Sequence, residues 1–339
     1  MNILITSAGR RGYIIKYFKD ALKEYGGKVF AGNSSPLSTA FEYADESVIT
    51  PMIYDKAYIP FLLDFCIKNE IKVIISLFDI DLLILAQNER VFHGYGIKVI
   101  VSRESVIQIC NDKWKTYRFC LENAIGVPKT YKALKEAQKA VVSGELKFPV
   151  IVKPRWGMGS IGIFIADNEE ELGILVKKCQ KAIQTTYLRY EAVNKEETVL
   201  IQEMLKGDEF GLDVINNLEG CFCDSVIRKK YAMRAGETDC AVVTRNKNIE
   251  LFAKKIGQAL GHIANLDVDI FVNGDKILLL EMNARFGGGY PFSHMAGIDL
   301  PKAIIKWVMG SALEDELRVK SYDHVVQKDI CFVDLTRFQ

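Results

Sequence analysis

The stretch "EMNARFGGGYP", residues 281–291, places a carboxylate, an amide and a guanidinium at every second position, followed by three glycines. The apolar run before it, "KILLL" (276–280), suits a β-strand. Because successive side chains of a strand point to opposite faces, Glu281, Asn283 and Arg285 would share one face. Two oxygen-bearing side chains suit a magnesium ion, and the arginine would reach a substrate anion. A solvated edge strand would show the same pattern, so this stretch leaves both interpretations open.

A second informative stretch is "FPVIVKPRWGMGSIGIFIA" (148–166), which predicts two strands joined by a glycine-rich loop. Glycines let backbone N–H groups approach a ligand closely, so the loop suits a lid over phosphates, with Lys153 aimed at them. The loop lacks the GK[ST] of a P-loop and is not followed directly by a helix. An ordinary glycine-rich hairpin is the alternative.

Two further stretches flank that loop in the sequence. "NDKWKTYRFCLENAIGVPKTY" (111–131) predicts a helix that is capped by its first residues and carries Lys113 in its first turn. A cation at a helix N-terminus is unfavourable unless it faces negative charge, so Lys113 indicates a bound phosphate or, alternatively, a solvated surface lysine. "ETVLIQEMLKGDEFGLDVI" (197–215) predicts two strands and a turn whose backbone could face an adenine edge, although an ordinary polar turn looks the same.

The first hundred residues alternate β-rich runs with helical stretches, which predicts a parallel sheet covered by helices on both faces. The strand ends, such as "TSAGRRG" (6–12), are rich in small and polar residues and suit a small-molecule rim. Gly9 and Gly12 do not complete a dinucleotide fingerprint. The last thirty residues predict a helix and then a strand over "DICFVDL" (329–335), which would pack on the core or on a second subunit.

The composition limits the partners that the protein could have. Its 339 residues carry 44 basic and 43 acidic side chains, a net charge of +1, so no global field attracts nucleic acid or an acidic membrane. The apolar run at the start is too short for a signal peptide, and no run is long enough for a membrane span. The eight cysteines lack zinc spacing, and we expect most to be reduced thiols in the core. We expect a cytoplasmic protein.

In this order, the pieces "NDK", "FPVIVKP", "QEMLKGDEF" and "LLEMNARF" resemble the ATP-grasp superfamily. Within it, the chain looks closest to the carbamoyl phosphate synthase large-subunit branch and to the neighbouring carboxylate-amine ligases. The resemblance implies an α/β, more narrowly α+β, fold in which a parallel βαβ domain (1–110) precedes a two-lobed ATP-grasp domain (111–310). The lid lobe would span about 115–202 and the second lobe about 203–310, with a helix and strand extension at 311–339.

The resemblance also implies roles for individual residues. Lys113 and Lys153 would bind ATP phosphates, with Lys153 and Arg285 as the catalytic residues. The lid would comprise Gly157, Met158, Gly159, Ser160 and Gly162; Glu203, Met204 and Leu205 would border adenine and Glu209 would hold the ribose; Asp269, Glu281 and Asn283 would bind Mg²⁺, with Mn²⁺ as the alternative ion.

Asp269 must lie on the face of Glu281 for this set to work. The stretch "NLDVDIFVNGDKILLLEMN" (265–283) predicts a hairpin around its Asn-Gly pair. A two-residue loop made of that pair would put Asp269 on the face opposite Glu281, whereas a three-residue loop, Asn273–Asp275, would put both on one face. We therefore predict an odd-numbered loop with its glycine in the left-handed conformation. Asp267 shares that face and is the rival ligand.

Two stretches could define the substrate. "RKKYAMRAGETDCAVV" (228–243) carries Arg234 and Glu237 beside a glycine, although a solvated charged loop is the alternative. The glycines after Arg285 would let the backbone donate to a carboxylate or phosphate. The predicted substrate-binding residues are Arg234, Glu237, Arg285, Gly287 and Gly288.

The implied reaction is the phosphorylation of a small-molecule carboxylate by ATP to an acyl phosphate, which an amine then attacks, giving ADP and phosphate. The alternatives are a small-molecule kinase, an enzyme that forms carboxyphosphate as carbamoyl phosphate synthase does, and a non-catalytic nucleotide-binding regulator. An organic acid is favoured over bicarbonate. The expected partners are small-molecule acids and amines and, at the level of assembly, a second copy in a homodimer.

Overall fold

A computed structural model gives the structure of the protein and describes residues 1–157, 161–192 and 197–338. Within these residues, the chain forms three sheets, and helices pack against them. Predicted lid residues Met158, Gly159 and Ser160 lie outside the described residues.

The first sheet is parallel, as the alternation of strands and helices predicts. Its strands are β1 (Asn2–Thr6), β2 (Val29–Asn33), β3 (Glu46–Ile49), β4 (Ile71–Ser76) and β5 (Lys98–Ile100), in the order β3-β2-β1-β4-β5. The helices are α1 (Gly12–Leu22), α2 (Tyr58–Lys68) and α3 (Asp79–His93). Apolar residues on both faces of β1 and β4 are buried, which is typical of a sheet covered on both sides. The carboxyl ends of these strands meet at one edge.

A second, smaller sheet carries the predicted lid. Its strands are β6 (Thr130–Tyr131), β7 (Val150–Pro154), β8 (Phe164–Ala166) and β9 (Val199–Glu203), in the order β6-β9-β7-β8. The helices that precede or follow these strands are α4 (Glu104–Asn111), α5 (Lys113–Glu122), α6 (Leu134–Val142) and α7 (Glu169–Thr185). As predicted, α5 is capped at its start, because the Asp112 side chain accepts hydrogen bonds from Trp114 N and Lys115 N.

The third sheet is antiparallel and forms the floor of the site. Its strands are β10 (Asp208–Asn216), β11 (Phe222–Arg234), β12 (Glu237–Thr244), β13 (Ala264–Asn273), β14 (Lys276–Asn283) and β15 (Val325–Gln327), in the order β14-β13-β10-β11-β12-β15. The helices are α8 (Lys247–Leu260), α9 (Tyr290–Met295) and α10 (Leu300–Val308). The core is continuous from the first sheet to the third, since Leu4 and Leu85 belong to the same buried cluster as Leu212, Val268 and Met282.

The end of the chain differs from the prediction. The strand in this segment is β15, which pairs antiparallel with β12, whereas the predicted strand over 329–335 is not formed. The predicted helix is also wrong, because the described residues 311–338 contain no α-helix and only a short 3₁₀ turn, Thr336–Phe338. The local apolar pattern did not predict where the strand forms, because β15 forms by pairing with the edge strand β12. In the part of the chain that the structure describes, no helix is long and apolar enough to cross a membrane.

Candidate functional site

The hairpin of β13 and β14 presents the predicted metal ligands. Asn273 pairs with Lys276, so the connecting loop has two residues and the predicted odd-numbered loop is wrong. The predicted left-handed glycine is confirmed, with φ +59° at Gly274. A register shift between Asp269 and Ile270 leaves Leu280 unpaired and sets Asp269 directly opposite Glu281. A β-bulge, and not a longer loop, therefore brings Asp269 and Glu281 to the same face of the hairpin.

The pocket face of this hairpin is acidic. Asp267 pairs with Asn283 and Asp269 with Glu281, so all four side chains share one face. Burial raises the pKa of Asp269 to about 7, and the charges of Asp267 and Glu281 act in the same direction, whereas Lys230 opposes them. Three carboxylates and one amide on a single strand face offer a cluster of oxygen atoms to a cation. Oxygen donors of this kind fit a hard divalent ion such as Mg²⁺, which leaves its other positions to water and phosphate.

No group of three or more His, Cys, Asp or Glu side chains is arranged to hold a metal by protein ligands alone, as far as residues 1–157, 161–192 and 197–338 are concerned. The predicted set of two carboxylates and one amide would leave the other positions of a magnesium ion to water and phosphate.

A cavity of about 470 Å³ lies between the second sheet and the acidic face. This volume is in the range that small-molecule ligands occupy. Its lining includes nine of the residues predicted for nucleotide or metal: Lys113, Lys153, Gly157, Glu203, Met204, Leu205, Glu209, Asp269 and Glu281.

The two predicted phosphate-binding lysines lie at the same cavity. Lys153, at the end of β7, is buried and donates to Gln202 Oε1 at 2.7 Å. Burial lowers the pKa of Lys153 to about 7, and the neighbouring charge of Lys113 lowers it further, while Glu281 opposes the shift. Lys113 Nζ lies 3.8 Å from Glu281 Oε2. Two lysine side chains that line the same cavity can bind an anion there.

Of the two described glycines of the predicted lid, Gly157 lines the cavity. Gly157 has φ +100°, and its carbonyl accepts a hydrogen bond from Lys113 Nζ. A Cβ on Gly157 would lie 2.6 Å from a methyl of Leu188, so this position requires glycine for space as well as for conformation. Gly162, with φ +71°, lies against Pro154 and is not part of the cavity lining.

Lys230 on β11 was not among the predicted site residues. Its Nζ lies 2.6 Å from Glu209 Oε1 and 2.7 Å from Asp269 Oδ1, and only 5% of its side chain is exposed. Despite its burial, these two carboxylates raise the pKa of Lys230. The predicted ribose ligand and a predicted metal ligand are therefore bridged by one buried cation.

A second cavity, of about 110 Å³, lies on the far side of Asp269 and Glu281 and is also lined by Asn283 and Arg285. Arg285 is almost fully enclosed. Its Nη1 lies 3.0 Å from Asp267 Oδ2, and its Nε and Nη2 lie 3.3 and 3.2 Å from Asp79 Oδ2. The sequence predicts that Arg285 contacts a substrate anion, but its Nε and Nη2 donate to the carboxylate of Asp79 instead. This contact fixes the arginine at the cavity wall.

The other predicted substrate-binding residues divide into two groups. Glu237 and Gly288 line the second cavity. Arg234 and Gly287 do not: Arg234 is half exposed and pairs with Asp239 at 2.9 Å, and Gly287 packs on Asp267.

The three glycines after Phe286 make room for charged side chains. A Cβ on Gly287 would lie 2.1 Å from Asp267, one on Gly288 would lie 3.0 Å from Glu237, and one on Gly289 would lie 2.8 Å from Arg228. None of the three has a positive φ, so close approach rather than backbone conformation explains the run.

Two arginines that line the second cavity were not among the predicted site residues, although both lie in stretches that the sequence analysis linked to a small-molecule site. Arg228 is buried and pairs with Asp213 and Asp267. It stands two residues before Lys230, so the alternation of β11 was an available signal that both face the site. Arg11 comes from the loop after β1, which the sequence predicts as part of a small-molecule rim, but no local signal indicated that it reaches the third sheet.

Comparisons with known proteins agree with this architecture. A family model described as an ATP-grasp domain matches residues 110–289, and one described as a PylC-like N-terminal domain matches residues 3–100. The carbamoyl phosphate synthase large chain of Methanosphaerula palustris is 22% identical over 331 residues, which cover 91% of this chain and 30% of that protein. The chain thus spans about 30% of the length of that curated relative.

Two solved structures illustrate the shared fold. The biotin carboxylase domain dimer of 2-oxoglutarate carboxylase from Hydrogenobacter thermophilus, solved with MgADP, ADP and bicarbonate, has a TM-score of 0.73 and 18% identity, and the match covers 96% of this chain and 73% of that one. N5-carboxyaminoimidazole ribonucleotide synthetase from Thermotoga maritima has a TM-score of 0.65 and 20% identity, with coverage of 93% and 77%. The predicted fold class and the resemblance are confirmed. Because the family model spans more than half of the chain, the protein belongs to the ATP-grasp domain family.

Proposed function

We propose that the protein is an ATP-dependent ligase that phosphorylates the carboxylate of a small organic acid and couples the resulting acyl phosphate to an amine, with release of ADP and phosphate. The observation that carries this proposal is that the two cavities meet at Asp269 and Glu281. The larger cavity has the volume and the cations for a nucleotide, and the smaller one has the charged walls of an acid site. The acidic pair lies where the γ-phosphate would meet the acid.

The roles of the nucleotide site follow from its charges. Lys113 and Lys153 would bind the phosphates, and a phosphate beside Lys153 would restore the proton that burial disfavours. Glu203, Met204 and Leu205 would border the base, and Glu209 would accept hydrogen bonds from the ribose hydroxyls. Asp269, Glu281 and Asn283 would hold Mg²⁺, which neutralises phosphate charge and orients the γ-phosphoryl group when it is bound.

At the acid site, the protein would stabilise the negative charge that develops while the γ-phosphoryl group is transferred. The acid's carboxylate oxygen attacks the γ-phosphorus, ADP leaves, and negative charge spreads over the transferred group. Arg285, fixed at the cavity wall by Asp79 and Asp267, would stabilise that charge and then the tetrahedral adduct formed with the amine. The amine displaces phosphate and loses a proton, which leaves an amide.

The test distinguishes a ligase from a kinase and from a nucleotide-binding regulator, because the three differ in the substrates that are needed to form ADP and phosphate. Purified protein with ATP and Mg²⁺ is screened against organic acids, with and without amines, while ADP and inorganic phosphate are measured separately. A ligase releases phosphate in step with ADP only when both an acid and an amine are present. A kinase forms ADP and a stable phosphorylated product with one substrate, and a regulator binds nucleotide without turnover. Either of these results would replace the ligase proposal.

The proposal extends to setting and assembly. It assigns the protein to the cytoplasm, and it assigns a homodimer on the precedent of the dimeric biotin carboxylase domain. It also keeps the division of the chain into 1–110, 111–310 and 311–339 as its working domain scheme.

A further inference from the structure

Among the described residues, one cation that lines the second cavity forms no ion pair with a carboxylate. Arg11, in the loop between β1 and α1, lines this cavity together with Arg228, Lys230 and Arg285. Each of the other three forms ion pairs with two carboxylates. In the described ranges, no Asp or Glu oxygen lies within 4.0 Å of a side-chain nitrogen of Arg11.

Arg11 is held by one of its nitrogens only. Its Nη1 donates to the carbonyl of Leu77 at 2.6 Å and to the carbonyl of Phe286 at 3.0 Å, which uses both hydrogens of that nitrogen. Over the residues that the structure describes, the Nε and Nη2 donors have no hydrogen-bond partner. These two nitrogens form the edge of a guanidinium that binds a carboxylate or phosphate through two parallel hydrogen bonds.

The charges around this free edge act in both directions. Burial lowers the pKa of Arg11, and the charge of Arg285 acts in the same direction, whereas the charges of Tyr13, Glu237 and Asp79 oppose the shift. An arginine nevertheless stays charged, so the protein keeps a partly enclosed cation that forms no ion pair with a carboxylate among the described residues. An anion that binds to the free edge would supply the paired charge.

We propose that Arg11 binds a second anionic group of the acid substrate, a carboxylate or a phosphate that does not react. The proposal rests on the ligase function above and narrows its substrate to organic acids with at least two anionic groups. Bicarbonate carries a single charge, so it would leave either the reacting position or Arg11 without its anion. Arg11 is therefore a specificity-determining residue that the loop after β1 contributes to the third sheet's site.

The remaining charges and the volume of the second cavity limit the size and charge of the acid that could bind there. Glu237 lines the cavity and its Oε2 lies 3.4 Å from Lys328 Nζ, so that carboxylate already has a counterion. The cavity volume of about 110 Å³ allows only a short acid beside the nucleotide. The two anionic groups should thus be separated by a few bonds.

The test measures binding of matched acids to protein that is loaded with a non-hydrolysable ATP analogue and Mg²⁺. Calorimetric titrations compare acetate and bicarbonate, which carry one anionic group, with succinate (two carboxylates) and phosphonoacetate (a carboxylate and a phosphonate). The wild type should bind one of the dianionic acids at least about tenfold more tightly than acetate, and the better of the two tells which second group Arg11 prefers. Arg11→Met should erase that preference, with a loss of about 10- to 100-fold for the dianion only. Arg10→Ala, at the exposed neighbouring arginine, should keep it.

Equal binding of acetate and both dianionic acids by the wild type, weak or strong, would overturn the proposal, as would a preference that survives in Arg11→Met. Affinity for the ATP analogue serves as the folding control for each variant. If the wild type fails to bind the analogue, the ligase function itself has failed. If it binds the analogue and releases phosphate with a monocarboxylic organic acid and an amine, only the inference about Arg11 is lost.

Discussion

Asp269 and Glu281 lie directly opposite each other on the β13–β14 hairpin because Leu280 is extruded from the strand pairing. With the two-residue turn alone, Asp269 would pair with Leu280, and Glu281 would point to the other face of the sheet. The bulge thus turns two consecutive residues of β14 toward the site, since Leu280 also lines the large cavity. The acidic pair depends on a backbone irregularity rather than on regular alternation.

Replacing Lys153 should weaken nucleotide binding. Lys153→Ala removes a buried cation from the expected phosphate position, so affinity for an ATP analogue should fall by about 10- to 100-fold. Lys147→Ala, at an exposed lysine three residues before β7, is the matched control and should bind normally. Fluorescence or calorimetric titration measures both variants. Wild-type affinity in Lys153→Ala would remove this lysine from the phosphate site.

Replacing Glu281 should separate binding from chemistry. Glu281→Gln keeps the size of the side chain and loses one metal-binding charge, while the contacts expected for base and ribose remain. Nucleotide affinity should change little, and ADP formation should fall by more than the roughly 10- to 100-fold cost of losing an outer-shell metal partner. Asp275→Asn, in the exposed turn of the same hairpin, is the control. Normal turnover by Glu281→Gln would contradict the assigned metal position.

The pKa of Lys153 predicts how nucleotide affinity depends on pH. In the free protein that pKa is lowered to about 7, mainly by burial, so Lys153 loses its proton as the pH rises above about 7. Bound phosphates stabilise the charged form, so binding takes up a proton between about pH 7 and the higher pKa of the complex. Affinity should therefore be level below pH 7 and should fall by up to about tenfold per pH unit above it.

Lys153→Arg isolates this effect, because an arginine stays charged across the range. Its nucleotide affinity should be nearly constant between about pH 6 and about pH 9, because arginine keeps its proton over this range. Titrations in buffers of matched ionic strength measure this affinity. A slope equal to that of the wild type would show that another group titrates.

The glycines that follow Phe286 should differ in their tolerance of alanine. Gly287→Ala would place a Cβ 2.1 Å from the Asp267 carboxylate, which Arg228 and Arg285 hold in place. The variant should lose about 1–3 kcal/mol of unfolding free energy, the usual cost of overpacking. Gly288→Ala meets Glu237, whose carboxylate can move, so its loss should be smaller. Urea denaturation of both variants measures the difference, and equal losses would argue against the close approach of Asp267.

The sequence predicts those features of the site that are determined by residues near one another in the chain. The start of α5 at Asp112 and the exposure of Lys113 to the cavity follow from helix capping, which a few neighbouring residues determine. The bulge at Leu280 could not be predicted, because three consecutive leucines give no signal for the one that leaves the pairing. The contact of Arg11 with Phe286 could not be predicted either, since it exists only once the first and third sheets have packed together.

Arg285→Lys tests whether this arginine acts on the reacting group. A lysine cannot contact Asp79 through two nitrogens and Asp267 through a third, so the cation should leave its fixed position. Turnover should fall by about two to three orders of magnitude, as for the loss of one oxyanion donor, while ATP affinity should barely change. Some stability should also be lost, because Asp79 and Asp267 lose part of their compensation.

Asp79→Asn is the matched variant that separates catalysis from structure. It disturbs the same contact from the other side but leaves the guanidinium in the cavity wall. If Arg285 stabilises the transferred phosphoryl group, Asp79→Asn should retain most of the turnover at temperatures where both variants are folded. Circular dichroism fixes that temperature, and coupled ADP release with a substrate acid gives the rates. If both variants lose turnover equally, Arg285 serves only to join the start of α3 at Asp79 to the third sheet. If Arg285→Lys binds ATP weakly yet turns over normally at saturation, the arginine belongs to the nucleotide site.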